Sequence, residues 1–72
     1  MEDYKKRFIN EFSELKERTS KLDRIIRKAE QGKLDFELSC PLALLKQQYK
    51  AMSKYLDILK TRAVIEEIDM EF

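Results

Sequence analysis

Histidine and tryptophan are missing from this 72-residue chain, and glycine, proline and cysteine occur once each. Without histidine, no Ser-His-Asp or Cys-His catalytic arrangement can be assembled. Cysteine-histidine zinc sites are excluded for the same reason, and Cys40 has no second cysteine with which to form an intrachain disulfide. A single glycine also rules out a glycine-rich phosphate loop. The chain therefore reads as a binding protein and not an enzyme, with no metal and no cofactor. The apolar runs are too short for a signal peptide or a membrane span, so no membrane partner is expected. A lone cysteine suits a reducing cytosol, where Cys40 reads as a small, partly buried apolar side chain near a helix start.

Charge of one sign is also lacking. Fifteen Lys and Arg face fourteen Asp and Glu, for a net charge of +1. A general DNA or RNA binder is not indicated by that balance. The distribution is less even than the total. From Leu42 to Arg62 there are five bases (Lys46, Lys50, Lys54, Lys60, Arg62) against Asp57 alone, and Glu66, Glu67, Asp69 and Glu71 follow with no base among them. The stretch from Leu42 to Arg62 thus offers a basic surface suited to a small anion.

What is present in quantity is helix-forming sequence. One helix is predicted from about residue 3 to 30, with the seam Phe8, Phe12, Leu15, Thr19, Leu22, Ile26, Ala29 in alternating steps of four and three. A second is predicted from about 41 to 65, with the seam Leu42, Leu45, Tyr49, Met52, Leu56, Leu59, Ala63. Gly32 suits a left-handed cap after the first helix. Ser39 reads as the N-cap of the second and Pro41 as a first-turn residue. Residues 31–40 form the connector, whose Leu34, Phe36 and Leu38 are expected to cover the closed end, and 66–72 form an acidic tail.

The two seams match in one antiparallel register. Ala29 meets Leu42, Ile26 meets Leu45, Leu22 meets Tyr49 and Thr19 meets Met52. Leu15 then meets Leu56, Phe12 meets Leu59 and Phe8 meets Ala63, and the residue numbers of every pair add to 71. The fold class is all-α: a single-domain, coiled-coil-like antiparallel hairpin of two helices over 1–72. Helix 2 has a second stripe, Leu44, Gln48, Ala51, Tyr55, Ile58, Arg62, Ile65, with no partner in its own chain. A chain this short is marginal alone. With disulfides and metals excluded, the stripe is expected to pack against further copies in a homo-oligomer.

Three features invite an anion: Lys5, Lys6 and Arg7 beside Tyr4 and Phe8; Lys21, Arg24 and Lys28 on one face; and Arg62, flanked by Thr61, within the second stripe. A charged arginine in an apolar oligomer seam needs a partner or a ligand phosphate; the alternatives to a ligand are an intersubunit salt bridge and a stem that carries the head to water. The acids Glu14, Glu17, Glu66 and Glu67 read as solvated members of helical charge pairs.

Tyr4, Arg7, Glu11, Glu14-Leu15, Lys21-Leu22, Leu44-Leu45, Gln48, Ala51-Met52, Tyr55, Ile58-Leu59 and Arg62 together resemble the hairpin domain of the phage anti-CBASS and anti-Thoeris sponge proteins. The resemblance implies an oligomer, typically a hexamer, that binds cyclic nucleotide immune signals without cleaving them. It implies a cyclic dinucleotide pocket with Lys21 and Tyr4, and a cyclic trinucleotide pocket with Arg62. Asp23 stands where the family has a threonine-like residue near the second pocket, and a carboxylate there repels phosphates. Arg7, Phe8, Arg24 and Thr61 join the candidate ligand-binding set on their proximity to these residues. The larger anti-Thoeris members carry extra sequence before the hairpin, so the anti-CBASS type is expected, working in the cytoplasm of an infected bacterial host. The alternatives are sequestration of a Thoeris cyclic ADP-ribose signal, and a purely structural adaptor hairpin. In the register above, Arg62 lies level with Ile9, twelve residues or roughly 18 Å from Lys21. The two pockets should therefore be separate within one chain.

Overall fold

Alternation of steps of three and four keeps each seam on one side of its helix, so the two helices can bury those sides only by lying against each other. The computed structural model, which describes residues 2–70 and every side chain among them but that of Glu2, has this form. Helix α1 spans Glu2–Glu30 and helix α2 spans Leu42–Ile65. They pack as a hairpin, with no strand among the described residues. The body measures 46 × 18 × 18 Å, its long axis being close to the roughly 43 Å that 29 helical residues span. The expected all-helical hairpin is therefore the observed fold.

Every seam residue of both helices is buried or half-buried. Phe8, Phe12 and Leu15 share one cluster with Leu56, Leu59 and Ala63, the three layers that the register assigns to the open end. Leu59 is wholly buried, and burying such a side chain is worth about 1.5–3 kcal/mol. Thr19, the polar member of the α1 seam, is also buried, and its Oγ1 donates to the Leu15 carbonyl at 2.7 Å. That bond satisfies the hydroxyl, so a threonine is tolerated in an apolar layer. At the other end Lys46 reaches across to Glu30 at 2.7 Å.

Both helices close in the same way. After α1, Gly32 takes φ +69° while its N–H bonds to the Ala29 carbonyl and that of Lys33 to the Lys28 carbonyl. After α2, Glu67 takes φ +57° while its N–H bonds to the Val64 carbonyl and that of Ile68 to the Ala63 carbonyl. Each is a Schellman turn, which satisfies the last carbonyls and reverses the chain. The second turn folds residues 66–70 back onto the hairpin. Ile68 is buried among Phe8, Phe12, Leu59 and Ala63, and Met70 packs beside them. The segment read as an acidic tail thus contributes to the core; Glu71 lies outside the described residues.

Two local expectations are corrected. Ser39 does not cap α2: Pro41 holds that position in an extended conformation, and its carbonyl accepts from the N–H groups of Leu44 and Leu45. Proline lacks a side-chain acceptor, so the cap is made by the main chain alone. The connector covers the closed end incompletely, since Leu34 and Leu38 are half-buried but Phe36 is 58% exposed. Cys40 is half-buried there, beside Leu22, Ile25, Phe36, Leu38 and Leu45.

Candidate functional site

The densest arrangement of polar and aromatic groups is at the open end. Arg62 belongs to the last turn of α2, and Glu66, one turn on, is the residue that caps it. The Arg62 Nε–H donates to Glu66 Oε2 at 2.9 Å. Its guanidinium lies over the Phe8 ring, 4.9 Å from the centroid, a cation–π contact. Tyr4, one turn before Phe8 on α1, donates its hydroxyl to the other oxygen, Glu66 Oε1, at 3.0 Å. One carboxylate is therefore gripped by two donors, one from each helix, and one of them lies over a buried ring.

The electrostatics follow from those bonds. The hydrogen bonds from Arg62 and then Tyr4 hold the Glu66 carboxyl below its ordinary range. The bond to Glu66 raises the Tyr4 phenol, with desolvation and the carboxylate's charge acting in the same sense. The same carboxylate raises Arg62, and Glu11 adds to the effect at longer range. The partner of Arg62 is thus the C-cap residue of its own helix rather than an acid of another subunit, and its guanidinium lies over Phe8.

The remaining candidates are dispersed. Phe8 is 4% exposed, so it reaches the site only through Arg62. The Thr61 hydroxyl is turned inward to the Asp57 carbonyl at 3.1 Å. Arg7 and Arg24 are exposed. Lys21 pairs with Glu17 at 3.2 Å, both well exposed, as in an ordinary helical charge pair. Asp23 pairs with Arg27 at 3.1 Å and stands at the rim of an interhelical groove of about 280 Å³. Lys16, Lys60, Tyr49 and Asp57 also line that groove. From Tyr4 to Lys21 is seventeen residues of one continuous helix, roughly 25 Å. The structure brings Tyr4, Phe8 and Arg62 together and leaves Lys21, Asp23 and Arg24 apart from them.

Sequence reasoning passed over Glu66 as a member of the site. The spacing of four from Arg62 is a signal that could have found it, but the bond to Tyr4 spans 62 residues of sequence and needed the fold.

On the outer face of α2, Leu44, Gln48, Ala51, Tyr55, Ile58 and Ile65 are all exposed, Ile58 by 49% and Ile65 by 74%. Ile58 also lines a shallow hollow of about 340 Å³ with Lys54, Asp57, Thr61 and Arg62. This face is the second stripe, and it adjoins the site through Arg62. No helix among the described residues is long and apolar enough to cross a membrane.

No curated protein and no solved structure matches the chain significantly. A family model does: it spans residues 2–65 of the 72, which takes in both helices and the turn between them, and on that match the chain belongs to the Sequestin family.

Proposed function

We propose that this hairpin is a phage-encoded sponge for cyclic oligonucleotide immune signals, acting in the cytoplasm of the infected bacterium. It binds cyclic dinucleotides, and cyclic trinucleotides at a second site. It holds them without cleavage and so starves an anti-phage effector of its signal. The observation that carries this reading is the Sequestin match across residues 2–65, since that family implies binding and sequestration rather than catalysis. Cyclic nucleotides are the finer step, supported by the chemistry of the candidate residues. Lysine and arginine neutralise phosphates through charge-assisted hydrogen bonds, and a tyrosine face is worth about 1–3 kcal/mol per stacked base.

The geometry adds a requirement. With roughly 25 Å of helix between Tyr4 and Lys21, a dinucleotide touching both must take them from different chains. The exposed stripe centred on Ala51, Tyr55 and Ile58 supplies a surface for that assembly, for which we propose a homo-hexamer. Pockets between subunits bury most of a small ligand, as tight sequestration demands.

Thermal shift and isothermal titration with a panel of cyclic di- and trinucleotides test the reading. A tight ligand at 100 times its dissociation constant adds about 2.7 kcal/mol of stability. Ligand recovered after denaturation should be intact by chromatography, and Ile58→Glu should dissociate the oligomer in sedimentation. Lys21→Ala should weaken dinucleotides and spare trinucleotides, and Arg62→Ala should abolish trinucleotide binding. A linear product, or no stabilisation by any member of the panel, would remove the proposal. So would a wild-type monomer at micromolar concentration, because the Tyr4–Lys21 pocket needs two chains.

A further inference from the structure

We infer that Glu66 is an internal plug: its carboxylate occupies the Tyr4–Arg62 fork, and a phosphate-bearing ligand enters that fork only by displacing it. The inference rests on the reading of Tyr4 and Arg62 as ligand contacts, which the resemblance assigns to different pockets and the fold brings to one carboxylate. It adds a residue that sets the strength and selectivity of binding.

The fork is built for an oxyanion. It offers a guanidinium N–H and a phenolic O–H to two oxygens of one anionic group, at 2.9 and 3.0 Å. A phosphodiester presents the same two acceptor oxygens with the same charge as a carboxylate, so whatever satisfies one satisfies the other. Arg62 has a second contact besides Glu66. Arg62 rests on the Phe8 ring, which is fixed in the core, and Tyr4 stands one turn away on the same helix as that ring. Glu66 is held by its main chain: its N–H bonds to the Arg62 carbonyl at 2.8 Å as the cap of α2. Its side chain can therefore swing out while the backbone stays put. The Arg62 side chain is 47% exposed and that of Glu66 27%, so solvent reaches the fork. Glu66 also lies one residue beyond the segment matched to the family.

A plug of this kind has two consequences. It keeps Arg62 compensated when no ligand is present, beside a stripe of exposed apolar side chains. It also selects ligands, because a weak or singly bonded anion cannot replace a carboxylate already held by two donors.

Glu66→Gln removes the charge and keeps the size and the main-chain cap. The experiment follows the side-chain Nε–H resonance of Arg62 in nitrogen-15-labelled protein, titrated with inorganic pyrophosphate at matched ionic strength. Circular dichroism confirms the fold, and Glu66→Ala serves as a second variant. The expected result is a midpoint lowered by about fivefold or more in both variants, the factor that two unit charges about 4 Å apart produce even in bulk water. Equal midpoints in wild type and variants, or no response of Arg62 in any of them, would overturn the plug. A parallel titration with cyclic tri-AMP separates the two readings. Failure of the cyclic trinucleotide in every protein, with pyrophosphate midpoints still shifted, would strike out trinucleotide binding and leave the plug. The reverse pattern would strike out the plug alone.

Discussion

The two ends of the hairpin are built from the same kind of seam but packed to different depths. At the open end Phe8, Phe12, Leu59, Ala63 and Ile68 are each 6% exposed or less. At the closed end Leu22 and Ile26 are buried, but Tyr49 and Leu45 opposite them are only half so, as are Ala29 and Leu42 in the last layer. The difference lies in a third layer. Two helices in contact bury one stripe each and leave the sides of the seam open to water. At the open end residues 66–70 fold back and seal one side with Ile68 and Met70. At the closed end the connector has the length but not the placement, and Phe36 remains outside. In a chain this small a core forms where a third segment returns to cover the pair. The candidate ligand fork stands on the better-packed end, where Phe8 can hold Arg62 in place.

The sharpest way to break this comparison is a matched pair of truncations. Leu59→Ala, at the wholly buried position, should cost about 3 kcal/mol or more, within the range for deleting a buried leucine. Leu45→Ala, at a half-buried position of the closed end, should cost about half as much or less. Urea denaturation at fixed protein concentration reads both. Equal costs would mean that the ends are equally packed and the third layer contributes nothing.

The two helix caps sharpen it further, having one geometry with different residues. A left-handed residue with a Cβ is strained by about 1–2 kcal/mol relative to glycine. Glu67→Gly should therefore stabilise the open end by about 1 kcal/mol, and Gly32→Ala should destabilise the closed end by a similar amount. An added Cβ at Gly32 meets nothing within 4 Å, so the backbone alone sets that cost. Thermal melts of both variants in one buffer decide the matter. A loss on Glu67→Gly would show that the glutamate side chain has a role the cap does not explain.

The smallest effect is one of pH. Because Glu66 titrates below the unfolded value, its contribution to stability is fully present above the ordinary carboxylate range. It disappears as the pH falls through the lowered folded-state value. Acid should therefore release Tyr4 and Arg62 together, and the Tyr4 ring resonances should follow the Glu66 titration in NMR. Glu66→Gln should abolish that coupling; a Tyr4 response persisting in the variant would assign it to another acid, Glu11 being the one that also acts on Arg62.

Much of this molecule was open to a reader of the chain. Seam spacing identifies two helices, and the shared register pairs Phe12 with Leu59 and Phe8 with Ala63 without any coordinates, because helical periodicity is local and the heptad step is short. The second stripe of α2 was visible for the same reason. Gly32 announced its cap, being the one residue that takes positive φ at no cost. Glu67 did not, because a glutamate takes that conformation only when the surrounding structure compensates for the strain. The burial of Ile68 supplies that compensation, and it depends on where Phe8 and Phe12 lie across the hairpin. The site divides in the same way. The Arg62–Glu66 pair is a spacing of four within a helix and is written in the sequence. Its joining to Tyr4 and Phe8, 62 and 54 residues away along the chain, is a contact between helix ends, and only the folding of α1 against α2 could decide it.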